Sequence, residues 1–175
     1  MAIGGVVLKK INIIEDERGY LFEAIRSDDN HFMGFGQVYF VKCNPRSSRG
    51  GHYHLRHWDF LLLLHGAADL VLLDLRPGFA CGDSERVYLQ GDVPCAVVIP
   101  PLVWHRVDSV DERGFFAMGM PSLPHDKANE DTFRITYEEA VQMAGRNTLK
   151  DDLLDDAGID SPDRRFAKLS GRDRG

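Results

Sequence analysis

Arg49-Gly50-Gly51-His52-Tyr53-His54, with Asp59 and Gly66 behind it, is the stretch that decides the fold of this chain. Residues two apart on a strand face the same side, so His52 and His54 share a face. Asp59 follows after four intervening residues, and an apolar run then ends at Gly66. Far downstream, Pro100-Pro101-Leu102-Val103-Trp104-His105 sets another histidine on a second expected strand behind a Pro-Pro turn. If the two pieces converge, three histidines and a carboxylate line one concave site.

Short β-like runs surround this stretch. Residues 5–14 alternate weakly and read as a first strand, Asp16 to Gly19 as a turn, and Tyr20 to Ile25 as a second strand. Residues 26–35 read as loop, Gln37 to Lys42 as strand, and Asn44 to Gly51 as loop. Strands are then expected at 52–57, 59–64, 67–75, 86–90, 95–99, 103–108 and 114–119. Turn signals separate them, which argues for an all-β sandwich or barrel. Leu61 to Leu64 and Leu70 to Leu73 are apolar on both faces, as central strands are. After Pro121 the pattern changes. Residues 136–145 read as a helix stopped by Gly145, followed by a shorter helix near 148–156 and a polar tail. The expected organisation is a barrel domain over 1–135 and a helical segment with tail over 136–175.

The chain has 175 residues, with 21 Lys+Arg against 27 Asp+Glu and a net charge of −6. An acidic surface lacks the basic footprint that nucleic acid needs. Cys43, Cys81 and Cys95 form no CxxC pair and are odd in number, which fits a reducing cytoplasm better than a disulfide scaffold. The apolar run before Lys9-Lys10 is too short for a signal peptide, and no stretch approaches a membrane span. A cytoplasmic location is the expectation.

Two readings of the histidine cluster stay open on residue type alone. His52, His54, Asp59 and His105 make a ligand set suited to Fe, Mn, Ni or Zn. The same groups also serve as acid and base without metal, since histidine transfers protons near neutral pH. His57 and His65 read as surface or turn residues, and Trp104 either as a ligand-stacking ring or as core.

His52-x-His54-x4-Asp59-x6-Gly66 resembles the first motif of the cupin superfamily, with Asp59 where that motif usually carries Glu. Gly91 through Pro100 to His105 resembles the second motif, with Leu102 at its glycine and Ser109 at its final asparagine. The resemblance implies an all-β double-stranded β-helix, the cupin jelly-roll barrel. A sharper likeness adds to it. Asp16 to Glu23, Phe35 to Val38, Arg49 to His54, Leu73-Asp74-Leu75-Arg76 and Ile99-Pro100-Pro101 with His105 resemble, in order, segments of dTDP-4-dehydrorhamnose 3,5-epimerases. The same segments resemble dTDP-4-keto-6-deoxyhexose 3,4-ketoisomerases, which carry the second histidine found here as His54. Asp131 to Glu139 resembles the ketoisomerases' closing stretch, and Tyr39 their strand tyrosine. The epimerases place a tyrosine acid near 115–120, where this chain has Phe115-Phe116-Ala117-Met118-Gly119-Met120 and no hydroxyl. Asp151 is the counterpart offered for the aspartate of the epimerases' base pair.

The resemblance implies proton abstraction beside a 4-keto group of a dTDP-linked hexose, with ketoisomerase preferred to 3,5-epimerase and neither metal nor redox cofactor. It gives His52 as base, His54 as proton carrier or sugar-orienting group and Tyr39 as hydroxyl donor. Arg49 and Arg18 would hold the diphosphate, Arg18 from a partner subunit. Glu23 and Gln37 would face the nucleotide base, His105 would approach the sugar or a phosphate, and a homodimer is implied. The alternatives are a metal-dependent cupin enzyme using His52, His54, Asp59 and His105, and a non-catalytic cupin that binds a sugar nucleotide.

Overall fold

Apolar alternation folds these runs into two facing sheets. The computed structural model describes residues 3–77 and 81–146. In chain order its elements are β1 (Val7–Lys10), β2 (Ile13–Asp16), β3 (Gly19–Phe22), β4 (Tyr39–Cys43), β5 (Ser48–Tyr53), β6 (Asp59–His65), β7 (Ala67–Asp74), β8 (Ser84–Gln90), β9 (Cys95–Ile99), β10 (Val103–Ser109), β11 (Phe115–Pro121), β12 (Phe133–Arg134) and α1 (Tyr137–Arg146). One sheet runs β1-β9-β6-β11-β4, the other β12-β5-β10-β7-β8, and β2-β3 form a separate hairpin. Every neighbouring pair is antiparallel. This is the expected jelly roll. Leu63, Leu70, Leu72, Val97, Ile99 and Phe115 form the core that joins the sheets.

Three expectations need correction. The strand expected over 5–14 is two strands, because Ile11 turns into the core and its amide bonds Pro94 O at 3.2 Å. The loop expected over 44–51 already enters β5 at Ser48, and β5 ends at Tyr53, so His54 is the first residue beyond the strand. The pairing of β5 with β10 explains how the glycines fit into a strand. His105 pairs His52 but Arg106 pairs Gly50, leaving Gly51 as a bulged residue. Gly50 and Gly51 have φ of 87° and 71°, and a Cβ on Gly50 would lie 2.7 Å from His105 O. A bulge re-aims the following side chain, here His52. The third correction is at His57, below. The helix expected near 148–156, the tail and Asp151 lie outside the described residues.

Strand β10 alternates sharply. Trp104 is fully buried among Leu73, Leu75, Ala140 and Ala144, and its indole N–H donates to Ile135 O at 3.0 Å. It is a core ring that seats α1, and its neighbour His105 points to the opposite face. Leu102, at the motif's glycine position, has φ 61° and is 1% exposed. The left-handed backbone survives the change from glycine because the leucine side chain is buried. The segment Asp74-Leu75-Arg76 is structural too: Arg76 Nε donates to Asp74 Oδ1 at 2.8 Å, both side chains are buried, and Arg76 Nη2 reaches Gly4 O at 2.6 Å.

Candidate active site

Strand pairing brings the distant residues together. His52 lies on β5 between His105 on β10 and Arg134 on β12, each its direct cross-strand partner. The His52 ring is 4.6 Å from that of His105 and 4.7 Å from that of His54. Asp59, the first residue of β6, comes from the facing sheet. Its Oδ2 is 3.1 Å from His54 Nε2 and 3.2 Å from His105 Nε2. Each imidazole is fixed from behind: His54 Nδ1 meets Asp131 O at 2.7 Å, and His105 Nδ1 meets Val103 O at 3.1 Å.

The electrostatics divide these groups. Burial would raise the Asp59 carboxyl, but hydrogen bonds from His105 and His54 outweigh it and hold the group well below the usual carboxylate range. Burial would lower His54. The bond and charge of Asp59, helped by the Asp131 carbonyl, reverse that and raise it. His52 has no such partner. Burial, then the neighbouring His105 and His54, push it down to about 2. Arg134 Nη1 lies 3.3 Å from His52 Nδ1, and a guanidinium only donates, so Nδ1 accepts and the neutral ring carries its proton on Nε2. The result is an imidazole pushed down beside one pushed up.

Two cavities meet at this cluster. An outer one of about 340 Å³ is lined by Gln37, His57, His125, Asp126, Asn129 and Asp131, among others. An inner one of about 520 Å³ extends into the barrel past Arg49, His105, Val107 and Phe115. Tyr39, His52, Asp59 and Arg134 line both. Tyr39 exposes 43% of its surface, yet its phenol end turns inward over Gly119, its partner on β11. Burial, then the charge of Asp59, push the phenol pKa up and keep the hydroxyl protonated.

The remaining expected residues divide. Gln37 is at the outer cavity, where its Oε1 accepts the His125 amide at 3.2 Å. Arg49 is at the inner one and donates to Lys42 O at 2.9 Å. Arg18 and Glu23 line neither. Arg18 sits on the β2–β3 turn, 82% exposed and paired with Asp16, and Glu23 pairs with Arg26.

His57, expected at the surface, is in the site. Its ring lies 3.7 Å from that of His54, tilted by 34°, and its Nδ1 is 2.9 Å from Asp131 Oδ2. Sequence reasoning also left Asp131 and Arg134 without individual roles. The resemblance of the 131–139 stretch was the only signal that marked them.

The four candidate metal donors lie within 4.8 Å of one another. Asp59 and the Nε2 atoms of His54 and His105 have suitable chemistry, with their Nδ1 atoms held by carbonyls. His52 joins them only when the Arg134 guanidinium leaves its Nδ1, since its other nitrogen otherwise keeps the proton. The alternative four-donor site therefore requires Arg134 to move.

Against known proteins, a profile of the polysaccharide biosynthesis C-terminal domain matches residues 14–133. The chain belongs to that family. The spore coat polysaccharide biosynthesis protein SpsL of Bacillus subtilis is 29% identical over 147 residues, spanning 83% of this chain and 97% of SpsL. Solved structures share the fold. A dTDP sugar isomerase from Desulfovibrio desulfuricans superposes with a TM-score of 0.73 at 22% identity, covering 80% of this chain and 90% of that one. The sugar 3,4-ketoisomerase QdtA from Thermoanaerobacterium thermosaccharolyticum, solved with TDP, gives 0.62 at 22% identity and covers 84% and 99%. These likenesses show a shared fold over 80% or more of this chain.

Proposed function

We propose that this chain is a metal-free isomerase of a dTDP-linked 4-keto-6-deoxyhexose, moving the ketone between C4 and C3. The observation that carries it is the opposed environment of two adjacent imidazoles: His52 is pushed down by burial, while His54 is pushed up by the Asp59 carboxylate 3.1 Å from its Nε2. Titratable neighbours whose pKa values are pushed apart make an acid–base pair. His52 takes the C3 proton, which the neighbouring ketone acidifies. His54 gives its proton to O4, forming an enediol. The O3 hydroxyl then loses its proton and C4 gains one, so the ketone stands at C3 and no hydride moves. Tyr39 donates a hydrogen bond to the oxygen on which charge develops. His105 shares Asp59 and faces the sugar.

A base near 2 is weak in the free protein. The diphosphate and the forming enolate bring negative charge beside His52 and raise its basicity. Arg134 turns its guanidinium to the diphosphate and frees Nδ1, with Arg49 as the second clamp. Gln37 faces the nucleotide base. A homodimer completes the reading, with Arg18 and Glu23 of each hairpin serving the opposite pocket. Its support is apolar surface: Tyr20, Leu21 and Ile14 on the hairpin are exposed, as is the stacked pair Phe40–Phe116, whose Phe40 lies on the free edge strand β4.

The missing hydroxyl along β11 favours ketone migration over 3,5-epimerisation, since Phe115 to Met120 supplies no acid there. Titration calorimetry with dTDP in EDTA buffer comes first, with micromolar binding expected. Incubation with dTDP-4-keto-6-deoxyglucose, followed by NMR of the product, then distinguishes the reactions. A 3-keto sugar supports the proposal, inversion at C3 or C5 supports epimerase instead, and binding without turnover leaves a sugar-nucleotide-binding cupin.

A further inference from the structure

We propose that Asp131 is a positioning residue for His54, an inference that rests on the isomerase reading. The carboxylate of Asp131 is 9% exposed and closes the turn after β5. Its Oδ1 accepts the Leu55 amide at 2.9 Å, and its Oδ2 accepts those of Arg56 at 3.1 Å and His57 at 3.2 Å. The same Oδ2 is 2.9 Å from His57 Nδ1, and Arg56 Nε stands 3.7 Å from Oδ1. Its main-chain oxygen accepts the Nδ1 proton of His54 at 2.7 Å. One residue therefore fixes both ends of the acid: the loop that carries the ring and the nitrogen that sets its tautomer.

The need for it follows from where β5 ends. His54 is beyond the last ladder residue; its carbonyl accepts the Leu102 amide at 2.7 Å, which holds the main chain but not the rotation of the ring. Its Nε2 faces Asp59 only while Nδ1 stays on the Asp131 carbonyl. His57 packs as a plate against the ring, and Asp131 holds that plate too. A ring rotation of His54 would break the Asp59 contact and remove the acid from the sugar. A misplacement of about 1 Å costs on the order of 100-fold in rate.

The experiment compares wild type with Asp131→Asn, which keeps shape and one acceptor oxygen, and with Asp131→Ala. In 15N-histidine-labelled protein, the His54 Nδ1–H gives a slowly exchanging downfield proton, identified by its loss in His54→Asn. Both Asp131 variants are expected to broaden that signal or speed its exchange at least about tenfold, and to lower kcat by about 10–100-fold with KM within threefold. In wild type, the amides of Leu55, Arg56 and His57, all bonded to the Asp131 carboxylate, are expected to exchange slowly as a set. A folded Asp131→Asn protein with the signal intact and kcat within twofold overturns the proposal. So does a rise in KM that alone accounts for the loss, or fast exchange of the three amides in wild type. Loss of the signal in variants of a wild type that shows no isomerase activity supports the positioning of His54 and refutes the isomerase reading instead.

Discussion

Replacing Asp59 with asparagine tests the acid–base division directly. The carboxylate is 3.1 Å from His54 Nε2 and 3.2 Å from His105 Nε2, with all three side chains at most 10% exposed. At 3.1 Å and an effective dielectric near 20, the attraction to a protonated His54 is about 5 kcal/mol before desolvation is subtracted. Burial is the largest influence on His54 and acts downward; only the bond and charge of Asp59, with the Asp131 carbonyl, keep it raised. Without Asp59 the main upward influence is gone, and burial lowers the ring's pKa. A general acid is worth roughly 100- to 10,000-fold. Asp59→Asn should therefore lower kcat at pH 7.5 by at least about 100-fold. The sign of the pH effect follows. Activity needs His54 protonated, so wild-type activity falls as pH rises through a raised pKa. In Asp59→Asn that basic limb moves to lower pH, and part of the rate returns on acidification. Breaking a buried pair also costs about 3–5 kcal/mol, or roughly 10 °C in Tm for a chain of this size. Rates are therefore measured well below the variant's Tm, with circular dichroism confirming the fold. A folded variant with kcat within threefold of wild type and an unmoved basic limb would refute the reasoning.

Further outcomes follow from the same geometry. A Cβ on Gly119 would lie 2.3 Å from Tyr39 Cζ and 2.5 Å from its hydroxyl. Gly119→Ala should push that ring aside and lower kcat about as much as Tyr39→Phe, with Tm changed by only a few degrees because the ring end can move; equal activity to wild type would mean Tyr39 is not at the reaction. His52, lowered to about 2, refuses a proton that the unfolded chain binds below about 6.5. It therefore costs stability as pH falls, by about 1 kcal/mol per unit, in the same direction as Asp59 and Asp131, whose depressed pKa values lose their contribution in acid. Urea unfolding at pH 7 and 4.5 should show a smaller acid loss in His52→Asn than in wild type. Leu102→Gly relieves a left-handed backbone worth about 1–2 kcal/mol but gives up a buried leucine worth about 2–5 kcal/mol, so thermal unfolding should report net destabilisation. Turnover should survive dialysis against EDTA; loss restored by Fe, Mn, Ni or Zn would return the metal reading.

Much of this was legible in the linear chain because it depends on local period and backbone freedom. Period two along β10 set Trp104 and His105 on opposite faces, and the structure then decided that Trp104 is the core ring. The apolar runs of β6 and β7 announced central strands. The glycine pair before His52 marked a special backbone, although the sequence reading took it for loop and not for a bulge. What the chain could not show by itself depends on contacts between distant segments. His57 reads as a turn residue until Asp131 closes the 55–57 turn from 74 to 76 residues downstream. Asp59 reads as a short substitute for glutamate until two imidazoles, one just past β5 and one on β10, converge on one of its oxygens. The pKa values of His52 and His54 are pushed in opposite directions although the residues are identical and two apart, because only one of them meets a carboxylate. Residue type set the available chemistry, and tertiary structure decided which histidine is pushed up and which down, since burial and charge act through space and not along the chain.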